Sequence, residues 1–265
     1  NALTGQPFIT GIVAPTNPVA LLFGAQPLRP EESFNIAAGV VLTPANRLTL
    51  TIDYFNIKVE DRIGLSGGFT LTQAQRDQLV AAGIQGGGDF TTIQFFGNAF
   101  DSRSQGVDAV LTYGFNFLDG NATISANANY TKTQVTRAGP LITGDRERLL
   151  ELEDFVPDWK GNLAFDYKGE RLGFSTTASY YGKWTDFGPN LANDQTGSAE
   201  ILVDAEVSYR LAETFTLAVG GSNIFDNYPD REVRASQLIN GFKYLRFSPI
   251  GFNGGFWYVR GTATF

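Results

Sequence analysis

Apolar and polar residues alternate with a two-residue period through most of this chain. Ile201, Val203, Ala205, Val207, Tyr209 and Leu211 share one face of an extended segment, and Leu202, Asp204, Glu206, Ser208 and Arg210 share the other. The same rule sets Ala122, Ile124, Ala126, Ala128 and Tyr130 against Thr123, Ser125, Asn127, Asn129 and Thr131. It also sets Trp159, Leu163, Phe165 and Tyr167 against Lys160, Asn162, Asp166 and Lys168. Val107, Ala109, Leu111, Tyr113 and Phe115 continue it, as do Phe215, Leu217 and Val219. The last stretch puts Trp257, Val259, Ala263 and Phe265 on one side and Tyr258, Arg260, Thr262 and Thr264 on the other. Side chains of a strand point alternately to its two faces, so this period predicts strands. They fall near 33–43, 47–60, 91–116, 121–136, 158–168, 171–187, 199–211, 214–225 and 255–265.

Alternation alone fits a soluble β-sandwich as well, with solvent on the polar face. The connections separate the two. Short turns at 44–46, 118–120, 169–170 and 212–213 alternate with long segments near 62–90, 137–157, 188–198 and 226–254. Short turns at one end and long loops at the other predict an all-β, antiparallel up-and-down transmembrane β-barrel. A Greek-key sandwich scatters long and short connections over both ends, and a soluble sandwich binding module stays as an alternative. Some predicted strands exceed the roughly 9–11 residues that span a bilayer, so they project beyond the lipid. Inside one long loop, Leu71, Leu79 and Ala82 recur at near-helical spacing. Thr70 or Thr72 offers an N-cap and Gly83 a stop, which predicts a short helix over 72–82 with a packing role.

Composition narrows the function classes. No stretch approaches the ~18 uninterrupted apolar residues of a membrane helix, which excludes helical spans only. The 30 glycines, 22 Phe and 10 Tyr suit bent strands with interfacial aromatics. A net charge of −7 leaves no basic stripe for nucleic acid. The basic run at Arg146 to Arg148 is interleaved with Asp145 and Glu147 and reads as a solvated loop. With no cysteine there are no disulfides.

Candidate chemistry is sparse. Barrel hydrolases use a histidine base, and the chain has none, so no catalytic residue is assigned. Ser102, Arg103 and Ser104 read as a loop–strand junction. Without His or Cys only carboxylate metal sites remain. Glu151, Glu153, Asp154 and Asp158 lack the spacing of a calcium loop and read as a solvated acidic face, so no metal or cofactor is assigned. Gly86-Gly87-Gly88 reads as a flexible loop tip. Trp184 and Phe187, with Pro189, are the candidates for ligand contact at a loop vestibule. A membrane-interface girdle accounts equally for Tyr180, Tyr181 and Trp184.

Several motifs, in order, resemble a TonB-dependent outer-membrane receptor. Asn17-Pro18 followed by Leu28-Arg29-Pro30-Glu31-Glu32-Ser33-Phe34-Asn35 is similar to the family's approach to a mid-barrel strand. Tyr54-Phe55 with Asp61-Arg62-Ile63, and Ser102-Arg103-Ser104-Gln105-Gly106-Val107-Asp108, look like two further family stretches. Leu202-Val203-Asp204 with Ser222-Asn223-Ile224-Phe225-Asp226-Asn227-Tyr228-Pro229 resembles the family's C-terminal pair. Ala37 and Asp108 stand where the family often has Glu.

The resemblance implies a barrel of ~22 strands around a plug, of which the last nine or ten fit here. Residues 1–32 would be an extracellular loop or the tail of a preceding strand, and 33–265 the C-terminal part of the barrel, with periplasmic turns, extracellular loops and no plug. Phe265 would be the true C-terminus, read by the insertion machinery, and Asn1 a cut or internal start. The implied function is TonB-dependent uptake across the Gram-negative outer membrane, with a ferric siderophore the foremost ligand and no resident cofactor. The implied partners are outer-membrane lipid, the missing plug and strands, and TonB reached through the missing N-terminal part. A passive porin-like or structural barrel is the alternative.

Overall fold

The computed structural model describes residues 9–143, 146–188 and 190–264. Its strands are β1 (Thr10–Ile12), β2 (Glu32–Ala45), β3 (Leu48–Leu65), β4 (Phe69–Thr70), β5 (Thr92–Gln94), β6 (Phe96–Phe117) and β7 (Gly120–Ala138). They continue as β8 (Trp159–Lys168), β9 (Leu172–Tyr181), β10 (Trp184–Asp186), β11 (Gln195–Gly197), β12 (Glu200–Ala212), β13 (Phe215–Ser222) and β14 (Phe256–Ala263). The helices are α1 (Pro18–Leu22), α2 (Gln73–Ala81), α3 (Pro140–Thr143), α4 (Arg146–Asp154) and α5 (Ala235–Ile239). Among the described residues no helix is long and apolar enough to cross a membrane.

Nine strands form one antiparallel sheet in the order β2-β3-β6-β7-β8-β9-β12-β13-β14, each beside its neighbours along the chain. These are the nine strands that the alternation predicts. Among the described residues no second sheet covers either face, so the sandwich alternative fails. Rows of directly paired residues show why the period matters. Leu50, Leu111, Ala126, Leu163, Ala178 and Val203 lie in one row on the apolar face. One residue along, Thr112, Ser125, Ala164, Thr177 and Asp204 make a row on the polar face. The apolar face stays open: Leu163, Val219 and Val259 are about half exposed or more.

Aromatics bracket that face. Tyr113, Phe115, Phe117, Phe165, Tyr167 and Phe174 touch ring to ring near the short turns. Trp159 packs on Tyr130 at the opposite end, ring centroids 4.9 Å apart. Trp159 to Tyr167 is eight residues, ~27 Å along a strand, or ~20 Å in height at the usual tilt of about 40°. That suits an apolar band ~25 Å tall.

Several boundaries depart from the expected ones, and β3 runs on to Leu65, past the expected end at 60. Pro44 and Ala45 extend β2 because a register irregularity between Leu42 and Ala45 spares the ladder bond that proline lacks. The predicted 91–116 strand breaks at Phe95, whose buried ring joins the core of the loop layer, and β5 leaves the wall to pair with β1 in parallel. The predicted 171–187 strand ends at Tyr181, and β10 pairs instead with β11. The predicted 214–225 strand stops at Ser222 because Asn223 turns to φ 48°. Ser102 and Ser104 lie well inside β6, not at a loop–strand junction.

The predicted 72–82 helix is α2. Thr72 is its N-cap in a reciprocal capping box with Gln75, and Leu79 plugs into the loop core. Residues 9–25 and 66–95 share that core through Val13, Val19, Leu79, Ile93 and Phe95. Phe265, Asn1 and Pro189 lie outside the described residues.

Candidate functional site

The motif stretches converge on two structural junctions. The first lies where β2, β3 and β6 reach the long loops. Asp61 takes φ 53° in a bulge of β3. Its carboxylate pairs with Arg29 at 3.0 Å and Arg137 at 2.9 Å, while Arg137 also grips Asp101 at 2.7 Å. The Ile63 N–H donates to Glu31 at 2.7 Å. Arg62 donates to Ser102 at 3.0 Å and covers the Phe100 ring at 5.2 Å. Beside this junction a cavity of about 480 Å³ is lined by Phe23, Arg29, Phe69, Asn98, Arg137 and Leu141, among others.

The second junction is the start of the last long connection. The Asp204 carboxylate accepts from the Ser222 hydroxyl at 2.6 Å and the Asn223 N–H at 2.7 Å. Asn223 exchanges hydrogen bonds with the Asn227 backbone at 2.8 and 3.0 Å. Asp226 accepts from the Gly255 N–H at 2.7 Å, bringing the end of the connection back beside its start.

The polar face carries fixed charge and amide. Gly39, Asp53, Asp108, Asn129, Lys160, Tyr181 and Glu200 form one row. A side chain at Gly39 would collide with the Asp53 carboxylate, so glycine makes that carboxylate's room. Asn129 donates to Asp108 at 2.6 Å. Farther along, Glu206 accepts from Tyr258 at 2.6 Å and Arg260 at 2.7 Å. Ala37 and Asp108 both sit on this polar face.

Above the wall, the connections 139–158, 182–199 and 223–255 meet at a buried charge cluster. The Asp186 side chain is fully buried and faces Arg234 and Arg246, each at 2.7 Å. Arg234 also holds buried Glu232 at 2.7 Å. Arg246 reaches Glu147 of α4 at 2.8 Å and the Phe187 carbonyl at 3.1 Å. Arg146 forks onto Asp194 at 2.9 and 2.7 Å. Such paired, multiply bonded charges are the form in which ions tolerate burial. The Arg146 hydrogen bond holds the Asp194 carboxyl below its ordinary value, against burial. Burial pushes Glu232 up, but the Arg234 donors outweigh it and leave a net lowering. Arg234 is raised, first by its hydrogen bond to Glu232.

These contacts correct two sequence expectations. Arg146 to Arg148 is not a solvated loop but the start of α4. The acidic run is not a free solvated face either. Glu153 accepts from the Val135 N–H at 2.7 Å, and Lys132 binds both Asp154 and Asp158. Trp184 and Phe187 do come together in the same loop block, with 2% and 8% of their surface exposed. Trp184 lies under Gly197 and is buried, whereas Tyr180 of the apolar face is half-exposed. The cluster members Asp186, Glu232, Arg234 and Arg246 escaped sequence reasoning. Their only signal was charge placed inside aromatic-rich loops.

A sequential antiparallel wall with one apolar and one polar face is the wall of a transmembrane β-barrel, here not closed on itself. The chain matches the family described as TonB dependent receptor-like, beta-barrel, over residues 3–224, and belongs to that family. No curated protein matches it. Among solved structures it resembles the ferric enterobactin receptor PfeA of Pseudomonas aeruginosa (a G324V mutant), 20% identical with a TM-score of 0.57. It resembles the outer membrane transporter YddB of Escherichia coli, 12% identical with a TM-score of 0.61. The copper transporter OprC is a third, at 15% and 0.59. The matches cover 90%, 90% and 96% of this chain, but it spans only 32%, 33% and 34% of theirs. Likeness at these identities shows the fold.

Proposed function

We propose that this chain is the C-terminal barrel wall and loop layer of a receptor that takes up a scarce solute across the bacterial outer membrane, energised through TonB. The family membership carries the reading. In it the apolar face meets lipid, the polar row from Asp53 to Glu200 lines the lumen against a plug, and the long connections face outward. The plug, the remaining strands and the TonB-contacting segment belong to the rest of the protein.

The ligand we favour is a ferric siderophore. The chain supplies no imidazole, thiol or thioether, the donors that suit a bare copper ion. A metal arriving already wrapped in an organic chelate needs only aromatic, guanidinium and amide contacts from this chain. We keep Trp184 and Phe187 as candidates for ligand contact, which, buried as they are, they reach only once the loop block opens. The test is uptake of ⁵⁵Fe-loaded siderophores by cells whose only receptor is the whole protein, with and without TonB. TonB-dependent uptake is expected. TonB-independent passage of small solutes would overturn energised uptake in favour of a passive porin, and TonB-dependent uptake of a non-ferric ligand would overturn the siderophore alone.

A further inference from the structure

We infer that the connections 182–199 and 223–255 are latched to α4 and to each other, so that they open together or stay shut together. α4 is the fixed post. Glu153 and Asp154 tie it to Val135 and Lys132 of β7. From its first turn, Arg146 holds Asp194 of one connection, and Glu147 holds Arg246 of the other. Asp186 closes the triangle, because Arg234 and Arg246 both bind it across the two connections. Lifting 223–255 alone would leave the Asp186 carboxylate buried without its cations, and lifting 182–199 alone would leave Arg234 and Arg246 only Glu232 and Glu147. A stranded buried charge is far more costly than a broken surface pair. Lifting both together lets water replace the whole cluster at once.

The remaining long connection, 66–95, is held differently. It shares an apolar core with 9–25 and touches 139–158 through Leu141, whose carbonyl accepts from the Gly67 N–H at 2.8 Å. Its anchoring uses none of the latch ions. The loop layer therefore divides into a latched pair and a separately cored block, whatever solute the receptor carries.

Hydrogen exchange on the whole receptor in detergent tests this. The double substitution Arg146→Gln with Glu147→Gln lies outside both latched connections. It is expected to speed exchange by roughly tenfold or more in 182–199 and 223–255 together, leaving 66–95 unchanged. Asp186→Asn is expected to do the same from the other corner, provided heat-modifiable migration shows a closed barrel. Loosening of only one connection, no loosening of either, or equal loosening of 66–95 would each overturn the latch.

Discussion

A charge placed on Leu163 should unseat the barrel from lipid, while the same charge one residue later should be tolerated. Leu163 lies four residues from Trp159 and four from Tyr167 on β8, so it sits ~10 Å in height from each aromatic edge, near the middle of the apolar band. Its row neighbours are Ala126 and Ala178, and neither can neutralise a guanidinium. Arginine at the midplane of a barrel's lipid face costs about 2–4 kcal/mol. That is roughly 25- to 700-fold in the folding equilibrium. Ala164 faces the opposite way, in a row with Ser125, Thr177 and Asp204. There an arginine meets a polar lumen with a carboxylate two strands away, and the expected cost is within about 0.5 kcal/mol. The assay is reversible guanidinium titration of the whole receptor in phospholipid vesicles, followed by tryptophan fluorescence. Equal losses for Leu163→Arg and Ala164→Arg, or a harmless Leu163→Arg, would refute the assignment of the apolar face to lipid.

Other expectations concern close packing, caps and pH. Gly106→Ala would place its Cβ 2.1 Å from the Tyr130 carbonyl oxygen, so a loss of about 1–3 kcal/mol should appear in the same titration. Gly251→Ala, which meets nothing within 4 Å, should be neutral. Thr72→Ala removes the capping box of α2 and should cost about 1 kcal/mol of local protection over 73–81, read by hydrogen exchange. Leu79→Ala should cost about 2–5 kcal/mol there because its side chain is fully buried. Asp194 has a depressed carboxyl pKa, so its pairing with Arg146 stabilises fully above the ordinary value of 3.8 and is lost as pH falls through the lower, folded value. Protection over 182–199 should therefore fall in strong acid, and Arg146→Gln should remove that acid-dependent part. An acid response unchanged in the variant would contradict it.

The wall was legible in the sequence because a strand's two-residue period is a local property. Ile201 to Leu211 declare their face without reference to any partner. Loop structure was legible only where a local signal existed, as in α2, where Thr72, Gln75 and Gly83 mark the start and stop within a dozen residues. The latch had no such signal. Asp186 and Arg246 are 60 residues apart, and nothing in the spacing of two loop charges says that they meet in a dry interior. Helix α4 was missed for a related reason: its charged residues suggest solvent, yet Lys132, Val135 and Asp194 consume them. Motif resemblance located the junctions around Asp61 and Asp204 without explaining them. The structure shows a carboxylate holding backbone that turns to positive φ at each: Asp101 accepts from the Asp61 N–H, and Asp204 from the Asn223 N–H.

The parallel pairing of Thr10 with Thr92 sets an order of assembly. Every wall strand docks on the strand just before it in the wall, so the wall can zip up one hairpin at a time with little loop-closure entropy at each step. The β1–β5 contact joins segments 82 residues apart, and the whole β2–β3 hairpin lies between them. It cannot close economically until that hairpin has brought its ends together. Pulse-labelled exchange during vesicle insertion should find β3 and β6 protected before residues 10–12 and 92–94. The loop core built on β1 and β5 is thus the part that settles last.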